Sequence, residues 1–311
     1  MSDIVITEFM DRSAVDSLAG SYRVVYDPAL VDDGERLVSL LPDARALVVR
    51  NRTRVDEALL DAAPALEVVG RLGVGLDNID LAACARRGVE VCPASGANDV
   101  AVAEYVIAAA MLLIRPVYLH SGEVVAGSWP RSAGIGGELN GRILGLVGFG
   151  GIARETAYRA RAFGMGVATF DPYLADGVDL AGARRLDTLD QLLADADVVT
   201  IHVPLTDETR GLIGAAELGR MKRGAVLVNT ARGGVVDEAA LAEALVAGEI
   251  AGAALDVFEH EPLAGEAARR FEGVPNLLLT PHVAGVTNES NVRVSRVTAD
   301  NVRRVLDRSR R

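Results

Sequence analysis

The chain is short of cysteine, of lysine and of positive charge in general. Cys84 and Cys92 are its only cysteines. Two cannot build a disulfide framework or a zinc cluster, and they read as free thiols in a reducing compartment. Lys222 is the only lysine, and nothing near it marks it for Schiff-base chemistry. With 32 Lys+Arg against 43 Asp+Glu, the net charge is −11. An acidic surface repels phosphate backbones, so nucleic acid is not an expected partner. A small anionic substrate would need a local basic pocket. The apolar run from Tyr105 to Ile114 is too short to span a bilayer. The opening Met1-Ser2-Asp3-Ile4 lacks the basic-then-apolar layout of a signal peptide, so a cytoplasmic location without a membrane partner is expected. No spacing of metal ligands appears, and no repeat or low-complexity tract.

What is present is a regular alternation. The 311 residues fit two domains at roughly 150 residues each. Ile4–Ile6, Arg23–Tyr26, Ala46–Val49, Val68–Gly70 and Val89–Cys92 read as short strands, with helical stretches such as Asp56–Ala63 and Leu81–Arg87 between them. Strand–helix alternation predicts a parallel sheet covered on both faces. A long helix follows from Asn98 to Arg115, closed by Pro116 and apolar on every face in its centre, which predicts burial in a core or between subunits. After a Gly-rich loop containing Trp129, a second alternation begins at Ile143. Its strands are Ile143–Val147, Val167–Phe170, Val198–His202, Ala225–Asn229, Ala251–Leu255 and Leu277–Leu279. Six strands with crossovers suit a dinucleotide-binding sheet. From Asn288 the tail reads as one polar, arginine-rich helix. The expected fold is α/β, with two Rossmann- or flavodoxin-like parallel-sheet domains. One is discontinuous, residues 1–97 plus 286–311, and binds substrate; the other, residues 98–285, binds NAD.

Gly148-Phe149-Gly150-Gly151-Ile152-Ala153 fits G-x-G-x-x-G/A after an apolar strand and at the start of a helix. Gly148 allows the tight turn, Gly150 lets a pyrophosphate approach the backbone, and Ala153 keeps helix and sheet close. The N–H groups of Gly151 and Ile152 at the helix N-terminus suit the phosphates. Asp171, twenty-one residues after Gly150, ends the next strand, where a carboxylate can hold both ribose hydroxyls and repel a 2′-phosphate. The cofactor expected is therefore NAD rather than NADP.

Four further stretches carry a resemblance: Gly70-Arg71-Leu72-Gly73-Val74-Gly75-Leu76-Asp77-Asn78-Ile79-Asp80, Asn229-Thr230-Ala231-Arg232-Gly233-Gly234, Ala254-Leu255-Asp256-Val257-Phe258-Glu259-His260-Glu261-Pro262, and Thr280-Pro281-His282-Val283-Ala284-Gly285. With them the chain resembles, over nearly its whole length, the D-isomer-specific 2-hydroxyacid dehydrogenases, in the branch of 3-phosphoglycerate dehydrogenase. Ala153 departs from the usual third glycine, and the chain stops after the tail helix, so serine feedback through a regulatory domain is not expected. The resemblance implies a catalytic triad of Arg232, Glu261 and His282. It also implies that Val203, Thr230, Ala231, Arg232, Asp256, His282 and Gly285 join Gly148, Gly150, Gly151, Ile152 and Asp171 around NAD. The active site would then lie in a cleft between the domains, with hinge closure excluding water.

The residue types suit that chemistry. His282 can take the hydroxyl proton, Glu261 can orient the imidazole and favour its charged form, and Arg232 can grip a carboxylate in a bidentate fork. His120, His202 and His260 have no such framing. Backbone amides of the Gly73-Val74-Gly75 turn suit a carboxylate. Arg50 and Arg71 each follow an apolar strand, where neighbouring strand ends would meet, and are expected to bind a distal anion; Arg52 and Arg54 read as solvated surface charge. The substrate expected is a small anionic 2-hydroxy or 2-keto acid with a distal anion, such as 3-phosphoglycerate or sulfolactate, and the assembly expected is a homodimer. Two alternatives remain in view, a non-catalytic NAD-sensing scaffold of the same fold and a formate dehydrogenase-like enzyme. Formate dehydrogenases usually carry glutamine at the position of Glu261.

Overall fold

The computed structural model describes residues 2–180 and 182–308; the last three residues of the expected tail helix lie outside that range. The chain divides into two compact units, Met1–Asn98 with Val286–Arg311, and Asp99–Gly285.

The first unit is built on five parallel strands, β1 (Ile4–Ile6), β2 (Val24–Tyr26), β3 (Ala46–Val49), β4 (Val68–Arg71) and β5 (Glu90–Pro93), in the order β2-β1-β3-β4-β5. Residues alternate between two cores because strand side chains have a period of two. Ile4, Ile6, Ala46, Val48 and Val68 point to one face, and Val5, Leu47, Val49 and Val69 to the other. Both faces are covered, so the strands read as continuous apolar runs. The helix Asn288–Arg308 lies on the first of these faces with Val294, Ala299, Val302 and Leu306 buried. Gly70 in β4 permits that approach, since a Cβ there would come within 2.7 Å of Val302 Cγ2.

The second unit has seven parallel strands rather than six. They are β6 (Ile143–Val147), β7 (Gly166–Phe170), β8 (Arg184–Arg185), β9 (Val198–Ile201), β10 (Val226–Asn229), β11 (Gly252–Leu255) and β12 (Leu277–Leu279), in the order β12-β11-β10-β9-β6-β7-β8. The strand the sequence did not reveal, β8, is two exposed arginines at the sheet edge. It has no apolar run because it has no buried face. The helix Gly151–Ala162 follows β6 and packs against the helix Asp99–Ile114. That long helix is not buried on every side. Ala103, Val106 and Ala110 are enclosed, whereas Glu104, Ala108 and Met111, at helical spacing along one stripe, are exposed. The segment after it is also more ordered than a loop, with a 3-10 turn at Pro116–His120 and a short helix at Ser121–Val125.

In each sheet the strand order reverses at one point, between β1 and β3 in the first and between β6 and β9 in the second. Open α/β sheets bind ligands outside the carboxyl ends of the strands at such points.

Candidate active site

At the end of β6 the chain turns through Gly148, whose φ of 92° is open to glycine and strained for other residues. A Cβ there would also come within 2.9 Å of the His202 carbonyl oxygen and 3.0 Å of Val203. Gly150 caps the helix that starts at Gly151, and the space beside its α-carbon is open for 4 Å. Ala153 is fully buried, so a methyl group fits between helix and sheet where the pattern allows glycine. Gly151 has a different reason for being small, since a Cβ would overlap the Asp99 carboxylate. Asp171 follows β7. Its Oδ2 accepts the Phe149 N–H at 2.9 Å and its Oδ1 the Tyr173 N–H at 2.9 Å. Each oxygen keeps lone-pair capacity for a ribose hydroxyl, and the first bond ties the carboxylate to the glycine turn.

The loops after β9 and β10 complete this edge. His202, at the end of β9, is pushed by burial down to about 3 and stays neutral, its Nε2 3.2 Å from Thr200 Oγ1. After β10, Asn229 holds the next turn, accepting the Ala231 N–H at 3.0 Å and donating to the Arg232 carbonyl at 2.9 Å. Thr230 Oγ1 is buried and makes no hydrogen bond among the described residues. A buried hydroxyl without a protein partner is one that a polar ligand can satisfy, and it fits the dinucleotide that the glycine turn, helix start and Asp171 suit.

The candidate triad comes from loops after three neighbouring strands, β10, β11 and β12. Gly233 brings the Arg232 loop against the next one, because a Cβ there would overlap the backbone of Phe258. Glu261 Oε1 accepts the Phe258 N–H at 3.1 Å, and its Oε2 lies 2.8 Å from His282 Nδ1. Burial pushes the Glu261 carboxyl up, but the bond and charge of His282, the Phe258 N–H and the charge of Arg232 outweigh it, and the net shift is downward. Glu261 is therefore an anion holding Nδ1, which leaves Nε2 for a reacting group.

His282 adopts φ 54°, rare for a residue with a side chain. The backbone is held there from several sides. Its N–H lies 2.8 Å from the Asp256 carbonyl. The buried Asp256 carboxylate accepts Thr280 Oγ1 at 2.6 Å, the Val283 N–H at 2.8 Å and the Ala284 N–H at 2.8 Å. Tyr105 Oη lies 2.6 Å from Thr280 Oγ1. Asp256, expected at the cofactor, thus spends its carboxylate on the histidine loop. Tyr105 was not singled out by the sequence, since it sits inside an apolar helical run where a hydroxyl leaves no pattern.

In the first unit, Arg71 ends β4 opposite Val49 of β3, so Arg50 and Arg71 lie at adjacent strand ends. The Arg71 guanidinium lies against Gly73, in the space a Cβ would fill, and donates to the Leu72 carbonyl at 2.8 Å. The amides of Val74 and Gly75 make no hydrogen bond among the described residues. Arg50 is half-buried and forms no ion pair among the described residues; its Nη2 donates to Asn291 Oδ1 at 3.0 Å. Burial pushes its pKa down, and the Glu8 carboxylate pushes it back. Arg52 is exposed and paired with Asp32.

A parallel sheet with a glycine turn, an acid after the second strand and a Glu–His pair suits a nucleotide-dependent oxidoreductase. Residues 107–284 match the family model described as "D-isomer specific 2-hydroxyacid dehydrogenase, NAD binding domain". The chain is 52% identical over 307 residues to an (S)-sulfolactate dehydrogenase from Chromohalobacter salexigens, covering 98% of this chain and 99% of that one. It is 40% identical over 269 residues to a D-3-phosphoglycerate dehydrogenase from Archaeoglobus fulgidus, covering 86% of this chain but 50% of the relative. Among solved structures, the TT0316 protein from Thermus thermophilus superposes with a TM-score of 0.86 at 33% identity, covering 98% of this chain and 96% of the other. A glyoxylate reductase from Paecilomyes thermophila also superposes at 0.86, with 29% identity over 98% and 95% of the two chains. The chain belongs to the D-isomer specific 2-hydroxyacid dehydrogenase family. Like that family it is an NAD-dependent enzyme acting on the CH–OH group of 2-hydroxy acids.

Proposed function

We propose that the substrate is a 2-hydroxy acid with a second, distal anion, and that 3-sulfolactate fits best. The observation that carries this reading is Arg50. A guanidinium stays charged under all working conditions, and partly burying it without an ion-pair partner is costly. An anionic ligand offsets that cost. The placement of Arg71 at the adjacent strand end supports the same site, and the name of the 52%-identical relative favours a sulfonate over a phosphate.

In this reading Arg232 takes the α-carboxylate. NAD, when bound, supplies the hydride acceptor for the hydrogen on C2. The hydroxyl proton passes to Nε2 of His282, and Glu261 stabilises the imidazolium through Nδ1. No metal has a role in this scheme. Asp171, Thr230 and the Gly148–Ile152 turn hold the dinucleotide.

The test is kcat/KM for 3-sulfolactate, 3-phosphoglycerate and lactate in wild type, Arg50→Ala and Arg71→Ala. Each substitution removes a charge-assisted bond worth about 1.5–3 kcal/mol. The sulfolactate-to-lactate ratio is expected to fall at least tenfold. An unmoved ratio would return both arginines to a structural role.

The reading extends to a cytoplasmic homodimer. The support is a set of exposed apolar side chains that a second copy would cover: Tyr118, Leu119, Val125 and Ile135, Met111 on the helix Asp99–Ile114, and Trp129, the only tryptophan, which is 76% exposed. Light scattering should give twice the chain mass, and Trp129→Asp should give monomer.

A further inference from the structure

Glu8 is a buried acid that the scheme above does not use. It follows β1, is 5% exposed, and forms no ion pair among the described residues. Its carboxylate instead collects backbone donors from one loop. Oε1 accepts the Arg50 N–H at 2.8 Å and the Thr53 N–H at 3.0 Å, and Oε2 accepts the Arg52 N–H at 3.2 Å. The opposite side of the same loop is held by Asn78, whose Nδ2 donates to the Thr53 carbonyl at 2.6 Å and the Arg50 carbonyl at 3.3 Å. Thr7 Oγ1 lies 2.7 Å from Thr53 Oγ1. The loop of residues 50–53 is thus clamped through both its amides and its carbonyls.

The position of this clamp is as telling as its bonds. β1 and β3 are the two strands between which the order of the first sheet reverses, the place where open α/β sheets take ligands. A buried carboxylate costs several kcal/mol unless fully hydrogen-bonded, and a loop needs no carboxylate merely to turn. What a carboxylate adds is convergence of three amides on one point and a negative charge near the buried guanidinium.

We propose that Glu8 is a positioning residue for the distal-anion site, fixing the 50–53 loop so that Arg50 meets the second charge of the substrate. The inference rests on the distal-anion reading above. Glu8 acts through Arg50 and does not touch the substrate. Its removal lowers selectivity for the two-charge substrate while leaving the proton-transfer machinery of the second unit as it is.

Glu8→Gln keeps the shape but replaces one carboxylate oxygen by an amide NH2, which cannot accept from the backbone N–H it faces. The measurement is KM and kcat for 3-sulfolactate and for lactate in wild type, Glu8→Gln, Arg50→Ala and the double variant. Glu8→Gln should raise KM for sulfolactate about tenfold with kcat changed less than threefold, and Glu8→Asp should recover part of the loss. In the Arg50→Ala background the same change should lose nothing more. Equal losses on both substrates, or full additivity of the two changes, overturns the proposal. If Glu8→Gln does not fold, Asn78→Ala loosens the carbonyl side of the clamp and must show the same rise in KM for sulfolactate alone; a loss on both substrates overturns the proposal as well. Arg50→Ala separates the two ideas. If it leaves the sulfolactate-to-lactate ratio unmoved, the distal-anion reading falls and takes this inference with it. If it lowers the ratio and the Glu8 variants do not, only this inference falls.

Discussion

Two loops at carboxyl strand ends, one in each unit, solve opposite problems with a buried carboxylate. In the second unit Asp256 collects two amides and a hydroxyl to hold His282 at φ 54°. In the first unit Glu8 collects three amides to hold the Arg50 loop. In the proposed reading the histidine loop serves a group that gains and loses a proton, with the Glu261 carboxylate 2.8 Å from its Nδ1. The arginine loop, in the same reading, presents a group whose charge is permanent, which forms no ion pair among the described residues although the Glu8 carboxylate acts on it from beyond contact. The proton-transfer group of that reading has a partner in ion-pair contact and the anion-binding group does not.

The largest test of that contrast is removal of the proton acceptor. His282→Ala should lower kcat by about two to four decades, the usual range for a general acid–base group, with NADH affinity retained by fluorescence titration. A loss confined to KM would place His282 in binding and not in proton transfer.

Cofactor choice should respond less. In the proposed reading Asp171 faces the adenosine ribose, where NADP would carry a 2′-phosphate, and like charges in close contact cost several kcal/mol. Wild type should strongly prefer NAD in kcat/KM, and Asp171→Ala should narrow the preference by about ten- to a hundredfold, the equivalent of 1.4–2.8 kcal/mol. Because Asp171 also accepts the Phe149 and Tyr173 amides, NAD itself should bind more weakly in the variant. A wild type that prefers NADP would sink this role.

The pH profile gives a finer test. The Glu261 carboxyl lies below its ordinary range, held there against burial by His282, the Phe258 amide and Arg232. Its negative charge, 2.8 Å from Nδ1, favours imidazolium. Glu261→Gln removes that charge and leaves a neutral partner at Nδ1. The acidic limb of the profile for hydroxy-acid oxidation, which needs the neutral base, should therefore move to lower pH. An unchanged limb would detach Glu261 from the proton.

How much of this was legible in the sequence follows the same contrast. The glycine turn, Asp171 and the loops carrying Arg232, Glu261 and His282 were legible because each is a short motif of recognisable residue types directly after an apolar strand-like run. β8 was not legible, because two exposed arginines carry no apolar signal. The exposed stripe on the helix Asp99–Ile114 was hidden for the converse reason, since Ala108 and Met111 are apolar but uncovered within one chain. Glu8 gave no signal beyond an acid directly after an apolar strand. Its role depends on three amides more than forty positions away, and only the fold brings them to it.

The smallest expected effect concerns the outer end of the histidine-loop chain. Tyr105 Oη meets Thr280 Oγ1, and that hydroxyl in turn reaches Asp256. Tyr105→Phe removes one link but leaves Thr280 able to donate to Asp256, so the loop keeps its carboxylate contacts. One neutral hydrogen bond is worth about 0.5–1.5 kcal/mol, and only part of it should reach the histidine, giving a fall in kcat of no more than a few fold with KM unchanged. Thr280→Val goes further. It leaves one oxygen of a buried carboxylate short of a donor and the Tyr105 hydroxyl without its acceptor, a cost of about 1–3 kcal/mol for each unsatisfied group. The valine variant should therefore lose both thermal stability and kcat, whereas the phenylalanine variant loses mainly kcat. If Tyr105→Phe proves as damaging as Thr280→Val, the hydroxyl of Tyr105 has a more direct part in holding His282 than this chain of bonds gives it.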